Sequence, residues 1–146
     1  MKANEIMTRD VVTCFPNSGL EDVSKKMCDR HCGILPVVNE DGTLAGVVTD
    51  RDITCRSLGK GRNPLELYVK DVMTSDCVTV APDADISECI RLLEDKQIRR
   101  VIVADDAGHC QGIIAQADLA RGIAPEMAAE LLREVSEPTE HASRVH

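Results

Sequence analysis

Residues 46–53 read GVVTDRDI and place a hydroxyl, Thr49, three residues ahead of a carboxylate, Asp52. An apolar run that passes straight into a helix leaves free backbone N–H groups at the helix start, and these attract phosphate. Thr49 would add a hydroxyl donor at the same place. Asp52, in the first helical turn, could accept two hydrogen bonds from a ribose diol, as an acidic residue does in dinucleotide folds. Gly46 lets a neighbouring chain or ligand approach the strand closely. The pattern suits a nucleotide, with hydroxyl and backbone for phosphate and carboxylate for sugar. A plainer use is also available: Thr49 or Asp50 caps a helix and Asp52 complements its dipole. One copy taken alone favours that plainer use.

The phrase is written twice. Residues 112–119 read GIIAQADL, so Gly112 and Asp118 return while Ala115 stands where the hydroxyl stood. The same offset aligns IMTRDVVTCFP at 6–16 with VMTSDCVTVAP at 72–82, and LPVVNEDG at 35–42 with VIVADDAG at 101–108. A constant offset over this length marks an internal duplication. Each copy predicts a short strand at Val12-Thr13 or Val78-Thr79, then a helix after Pro16 or Pro82. The first helix has an apolar stripe of Leu20, Val23 and Met27, the second one of Ile86, Cys89, Ile90 and Leu93. A strand, an acidic turn ending in Gly42 or Gly108, a second strand and a short helix from near Asp50 or Gln116 complete the unit. The expected class is α/β, with two β-α-β-β-α units packed face to face, because one copy is too small to bury a confident core alone. The expected division is 1–58 for the first repeat, 59–70 for a linker, 71–122 for the second repeat and 123–146 for a C-terminal helix and tail. Met127, Ala128, Leu131, Leu132 and Val135 would share one face of that helix.

The rest of the composition narrows the function classes. The 146 residues are 43% hydrophobic and 29% charged, an ordinary globular balance. A net charge of −8 argues against nucleic acid, whose binders show a basic face. No apolar run is long enough to cross a bilayer, and no secretory leader opens the chain, so the expected location is the cytoplasm. Phe15 and Tyr68 are the only aromatic residues, so a flat base would be held between aliphatic side chains. Seven cysteines, an odd number without an export signal, argue against a disulfide framework. Cys28 and Cys32, with His31 between them, read as small packing residues at helical spacing rather than as half a metal or redox site. GKGR at 59–62 lacks phosphate-loop spacing. No nucleophile has a base at a meaningful spacing, and no metal cluster is visible.

These motifs together, DVMT at 71–74, NEIMT at 4–8, ILPVV, IRRVIV at 98–103 and the two glycine-to-aspartate phrases, resemble a tandem pair of CBS (cystathionine β-synthase-type) domains, a Bateman module. The resemblance covers residues 4 to about 122. It implies a compact pair, packed with pseudo-twofold symmetry, that often dimerises and binds adenosine-containing ligands between the repeats. Position by position, Thr49 and Asp52 match phosphate and ribose residues, Asp118 the ribose residue of a second site, and Arg99 and Arg100 residues that reach phosphates. Ile6, Thr8, Val12, Ile34, Leu35 and Pro36 fall where a base would be lined, as do Val72, Thr74, Val78, Val101 and Ile102. Ala115, and Gly33 and Ile34 in place of arginines, depart from the pattern, so the two sites should differ.

The resulting expectation is a stand-alone, non-catalytic regulatory homodimer that requires no cofactor or metal. It would bind AMP, ADP or ATP and signal to an effector enzyme or transporter, without contacting nucleic acid or membrane. A ligand-free oligomerisation module is the alternative. The hydroxyl of Thr49 makes the Asp52 site the expected tighter one.

Overall fold

The computed structural model describes residues 1–122 and 132–134. In chain order the elements are α1 (Ala3–Ile6), α2 (Leu20–Arg30), β1 (Ile34–Val38), β2 (Leu44–Thr49), α3 (Asp50–Arg56), β3 (Thr79–Val80), α4 (Ile86–Lys96), β4 (Arg100–Ala104), β5 (Cys110–Ala115) and α5 (Gln116–Gly122), with three short 3-10 turns between α3 and β3. The chain is α/β and built of two repeated units, as the duplication predicts. The amphipathic segment expected after Pro125 lies, apart from residues 132–134, outside the described residues.

By contact the chain divides into two compact units. One comprises Val11–Cys77 with Ala107–Cys110, and carries Asp52; the other comprises Met1–Asp10, Val78–Asp106 and the chain from Gln111, and carries Asp118. Each unit therefore takes its leading segment from the opposite sequence repeat.

In the Asp52 unit, β1 and β2 pair antiparallel, with Ile34 opposite Thr49 and Leu35 opposite Val48. Helix α2 follows its predicted stripe and buries Leu20, Val23 and Met27, each contributing about 1.5–3 kcal/mol by burial. Glu21 and Asp22 in its first turn and Arg30 in its last complement the helix dipole. The helix ends on His31, whose backbone is left-handed at φ 52, so that Cys32 N–H reaches the Met27 carbonyl at 3.1 Å. Gln97 repeats this after α4, with φ 52 and an Ile98 N–H to Leu93 carbonyl bond of 3.1 Å. The strand expected at Val12-Thr13 is reduced to a single parallel bridge between Cys14 and Val37. Its counterpart survives as β3, in which Val80 pairs in parallel with Val103.

The order β3-β4-β5 forms the sheet of the Asp118 unit. Its core joins Cys89, Ile90 and Leu93 of α4 to Val101, Val103, Ile114 and Leu119. Ile86, the remaining member of the predicted stripe, packs at the margin.

The two conserved-offset glycines explain how the borrowed segments attach. Val47 and Thr74 exchange both backbone hydrogen bonds, at 2.9 and 2.8 Å, and Thr8 and Ile113 do the same at 2.9 and 3.0 Å. A Cβ on Gly46 would collide with the Thr74 carbonyl oxygen, and one on Gly112 would sit 2.7 Å from that of Thr8. Gly46 also holds φ at +157, which L side chains rarely adopt. Gly46→Ala is expected to destabilise the protein by about 2 kcal/mol or more, because two backbone hydrogen bonds of about 1 kcal/mol each are at stake. Urea unfolding measures this, and a loss below about 0.5 kcal/mol, the scatter of ordinary surface substitutions, would show that the close approach is dispensable.

Candidate nucleotide-binding grips

Strand β2 runs without a break into α3, and Thr49 sits at the junction with an extended backbone, φ −113 and ψ 161. Its Oγ1 accepts the Asp52 N–H at 3.0 Å, while Asp52 Oδ2 accepts the Thr49 N–H at 3.1 Å. This reciprocal pair is a capping box, so the plainer use read from the sequence is made by the same two side chains. It does not exhaust them. A threonine hydroxyl that accepts one bond still carries a proton to donate, and a carboxylate has further lone pairs. Asp52 Oδ1 lies 3.7 Å from Arg56 Nε. Arg56 is itself fixed by Nη1 donating to the Val72 and Met73 carbonyls at 3.1 and 2.9 Å.

The second junction keeps half of this arrangement. The Ala115 N–H donates to Asp118 Oδ2 at 2.8 Å, and the missing hydroxyl leaves the reverse bond unmade. Asp118 Oδ1 receives Arg121 Nη2 at 2.6 Å. Both aspartates are largely buried, with side chains 13% and 10% exposed, whereas their arginines are 47% and 75% exposed. Neither Arg56 nor Arg121 is picked out by the sequence motif. Their spacing of four and three residues after an aspartate on a short helix is the signal that could have found them.

The predicted site residues sort by unit. Thr49, Asp52, Ile34, Leu35, Pro36 and Thr74 belong to the Asp52 unit, where Ile34, Leu35 and Pro36 are register partners of Thr49, Val48 and Val47. Thr8, Arg99, Arg100 and Asp118 belong to the Asp118 unit. Thr8 and Thr74 are thus exchanged between the copies: each attaches to the glycine-bearing strand of the other repeat. Leu35 is fully buried in the core of the Asp52 unit together with Val72, and Val101 is buried in the core of the other. Ile34 and Thr74 remain partly open, and Thr8, Arg99 and Arg100 are exposed.

The seven cysteines are all free. Burial pushes the Cys14 thiol up to about 11 and raises those of Cys77 and Cys89 in the same direction, so these stay neutral packing groups. Cys28 departs from its expected packing role, since it is exposed. It lines a surface groove of about 360 Å³ between α2, Ile53, Pro64 and Leu65. Neighbouring His31 ends α2 by its backbone conformation.

Residues 3–58 and 69–125 each match the family profile described as CBS domain. The chain belongs to the CBS domain family. It is similar to protein YlbB of Bacillus subtilis, 34% identical over 138 residues, covering 93% of this chain and 92% of that one. Among solved structures it is similar to Hypoxic Response Protein I with two coordinated zinc ions, at a TM-score of 0.76 and 28% identity over 85% of this chain and 100% of that one. It is also similar to CBSX2 in complex with AMP, at a TM-score of 0.72 and 25% identity over 83% of this chain and 94% of that one. Among the described residues, no three His, Cys, Asp or Glu side chains are placed together to hold a metal ion. Among them, too, no helix is long and apolar enough to cross a membrane.

The capping box predicts a clean separation of side chains. Thr49→Ala removes the acceptor for Asp52 N–H and should cost about 1 kcal/mol of stability, whereas Thr49→Ser should retain most of it. Equal losses for the two variants in urea unfolding would mean that the methyl group, not the hydroxyl, matters at this 9% exposed residue.

Proposed function

We propose that this CBS-domain protein is a regulatory binding module, not an enzyme, that takes an adenosine-containing nucleotide of the AMP, ADP or ATP type and signals its presence to a partner protein. The observation that carries this reading is the repetition of a nearly buried aspartate at a strand-to-helix junction. In both copies one oxygen is used locally and the other, among the described residues, faces an exposed arginine. A ribose diol can replace or share that arginine contact. The AMP held by the similar CBSX2 structure supports the same class of ligand. Signalling requires that the nucleotide bind one arrangement of the module better than another.

Thermal unfolding with adenosine, AMP, ADP and ATP tests the reading. A ligand at about 100 times its dissociation constant adds about 2.7 kcal/mol, which shifts the midpoint by several degrees in a protein of this size. No shift with any of the four would favour the second reading, a ligand-free interaction module. The use of Thr49 and Asp52 by their own capping box is the observation on that side.

The module is further proposed to act as a homodimer joined through helix faces. Leu58 and Leu65 are 66% and 69% exposed, and Leu65 borders the groove on α2. Sedimentation at tens of micromolar, a working range for weak association, should give twice the chain mass. A monomer would remove the dimer from this proposal.

A further inference from the structure

At one pair of residues tied together by the backbone, the two grips differ in charge. Gly33 accepts the Asp50 N–H at 3.0 Å, and Arg99 accepts the Gln116 N–H at 3.0 Å, so one backbone bond ties corresponding residues together in both units. In the Asp52 unit, position 33 has no side chain, and the carboxylate of Asp50 occupies its neighbourhood. A Cβ on Gly33 would stand 2.9 Å from Asp50 Oδ2. In the Asp118 unit the corresponding pair is a cation and a neutral amide, and the next position changes from Ile34 to a second cation, Arg100. Arg99 and Arg100 are exposed and make no ion pair among the described residues. Gln116 differs from Asp50 in a second way. Its Oε1 is buried and lacks a hydrogen-bond partner, alone in this among the buried side-chain nitrogens and oxygens of the described residues. A buried acceptor without a donor is costly, and at the matching position the Asp50 side chain has a partner, the Arg51 N–H at 2.8 Å.

We propose that the grips are sorted by charge: the one around Asp118 takes a phosphorylated ribonucleoside, and the one around Asp52 takes a ribonucleoside whose 5′ substituent is uncharged or cationic. This rests on the nucleotide reading above and specifies it. A phosphate at the first grip faces the Asp50 carboxylate, and like charges at short range repel. At the second, the residue tied to the helix start is a cation, Arg99, and no carboxylate stands at position 116; a guanidinium fork matches phosphate oxygens. The order is the reverse of that expected from the Thr49 hydroxyl alone. That hydroxyl offers a phosphate one hydrogen bond, against a change of sign in the local charge.

Calorimetry of the full chain with AMP and with adenosine tests the sorting. The AMP event should survive in Asp52→Ala and vanish in Asp118→Ala. Replacing Arg99→Gly and Arg100→Ile together, two exposed changes that copy the first repeat, should weaken AMP about tenfold and make its binding less sensitive to salt. Adenosine should change less than about twofold, well under 1 kcal/mol by the same conversion. In the Asp118→Ala background, Asp50→Gln should strengthen AMP at the remaining grip. Loss of the AMP event in Asp52→Ala with its retention in Asp118→Ala would overturn the sorting while leaving the nucleotide reading intact. So would equal weakening of AMP and adenosine by the arginine replacements. Absence of heat with either compound on the unaltered chain would overturn the nucleotide reading itself, and the sorting with it.

Discussion

The backbone hydrogen bonds that Thr74 makes to Val47, and Thr8 to Ile113, are the contacts on which the rest of this protein depends. They set a strand edge directly against a glycine, at a distance that no side chain would permit. A sheet edge is a row of unpaired donors and acceptors that has to be covered. Here the cover for the glycine-bearing strand of one repeat is cut from the front of the other. A fragment ending at the boundary of a repeat would leave that strand uncovered and its unit incomplete. The duplication is therefore not two independent folds in series.

The same strands deliver the functional groups. Because β2 and β5 pass into helices without a loop, the first helical N–H groups and the aspartate two residues into the helix are presented in a fixed frame. Local structure and candidate chemistry share atoms: the Thr49 hydroxyl and the Asp52 carboxylate complete a capping box before any ligand arrives. That economy has a physical basis. An oxygen already oriented by one hydrogen bond loses little freedom when it makes another, so less ordering cost falls on binding. It also means that a substitution at either residue bears on stability as well as on the proposed ligand contact, so variants here require both measurements.

Duplication with later divergence is visible at single positions. The backbone bond from the helix start to the residue before the strand is the same length in both units, although the side chains attached to it are glycine and aspartate in one and arginine and glutamine in the other. Geometry has been held while charge has changed. The arginines that hold the aspartates have shifted too, from the fourth to the third residue after the carboxylate.

The helix-strand-strand-helix order within each repeat, the apolar stripes of α2 and α4 and the starts of α3 and α5 were legible in the sequence, because these depend on local periodicity and on residues close in the chain; helix α1 and the reduction of the Val12-Thr13 strand to a bridge were not. The paired aspartates were legible for the same reason, since a repeat at constant offset can be read without coordinates. The exchange of Thr8 and Thr74 was not, because it is a contact between segments far apart in sequence, and hydrophobic pattern does not say which edge a short strand covers. Left-handed helix ends at His31 and Gln97 were hidden as well, since neither is a glycine and their conformation is imposed by bonds to the preceding turn. The carboxylate of Asp50 over Gly33, and the unpartnered oxygen of Gln116, were likewise decided only when packing placed helix start beside strand start. Sequence alone determined that two related strand-to-helix junctions exist; tertiary structure decided which segments complete them and which charged groups stand beside each, because electrostatic environment is set by distances that chain order does not contain.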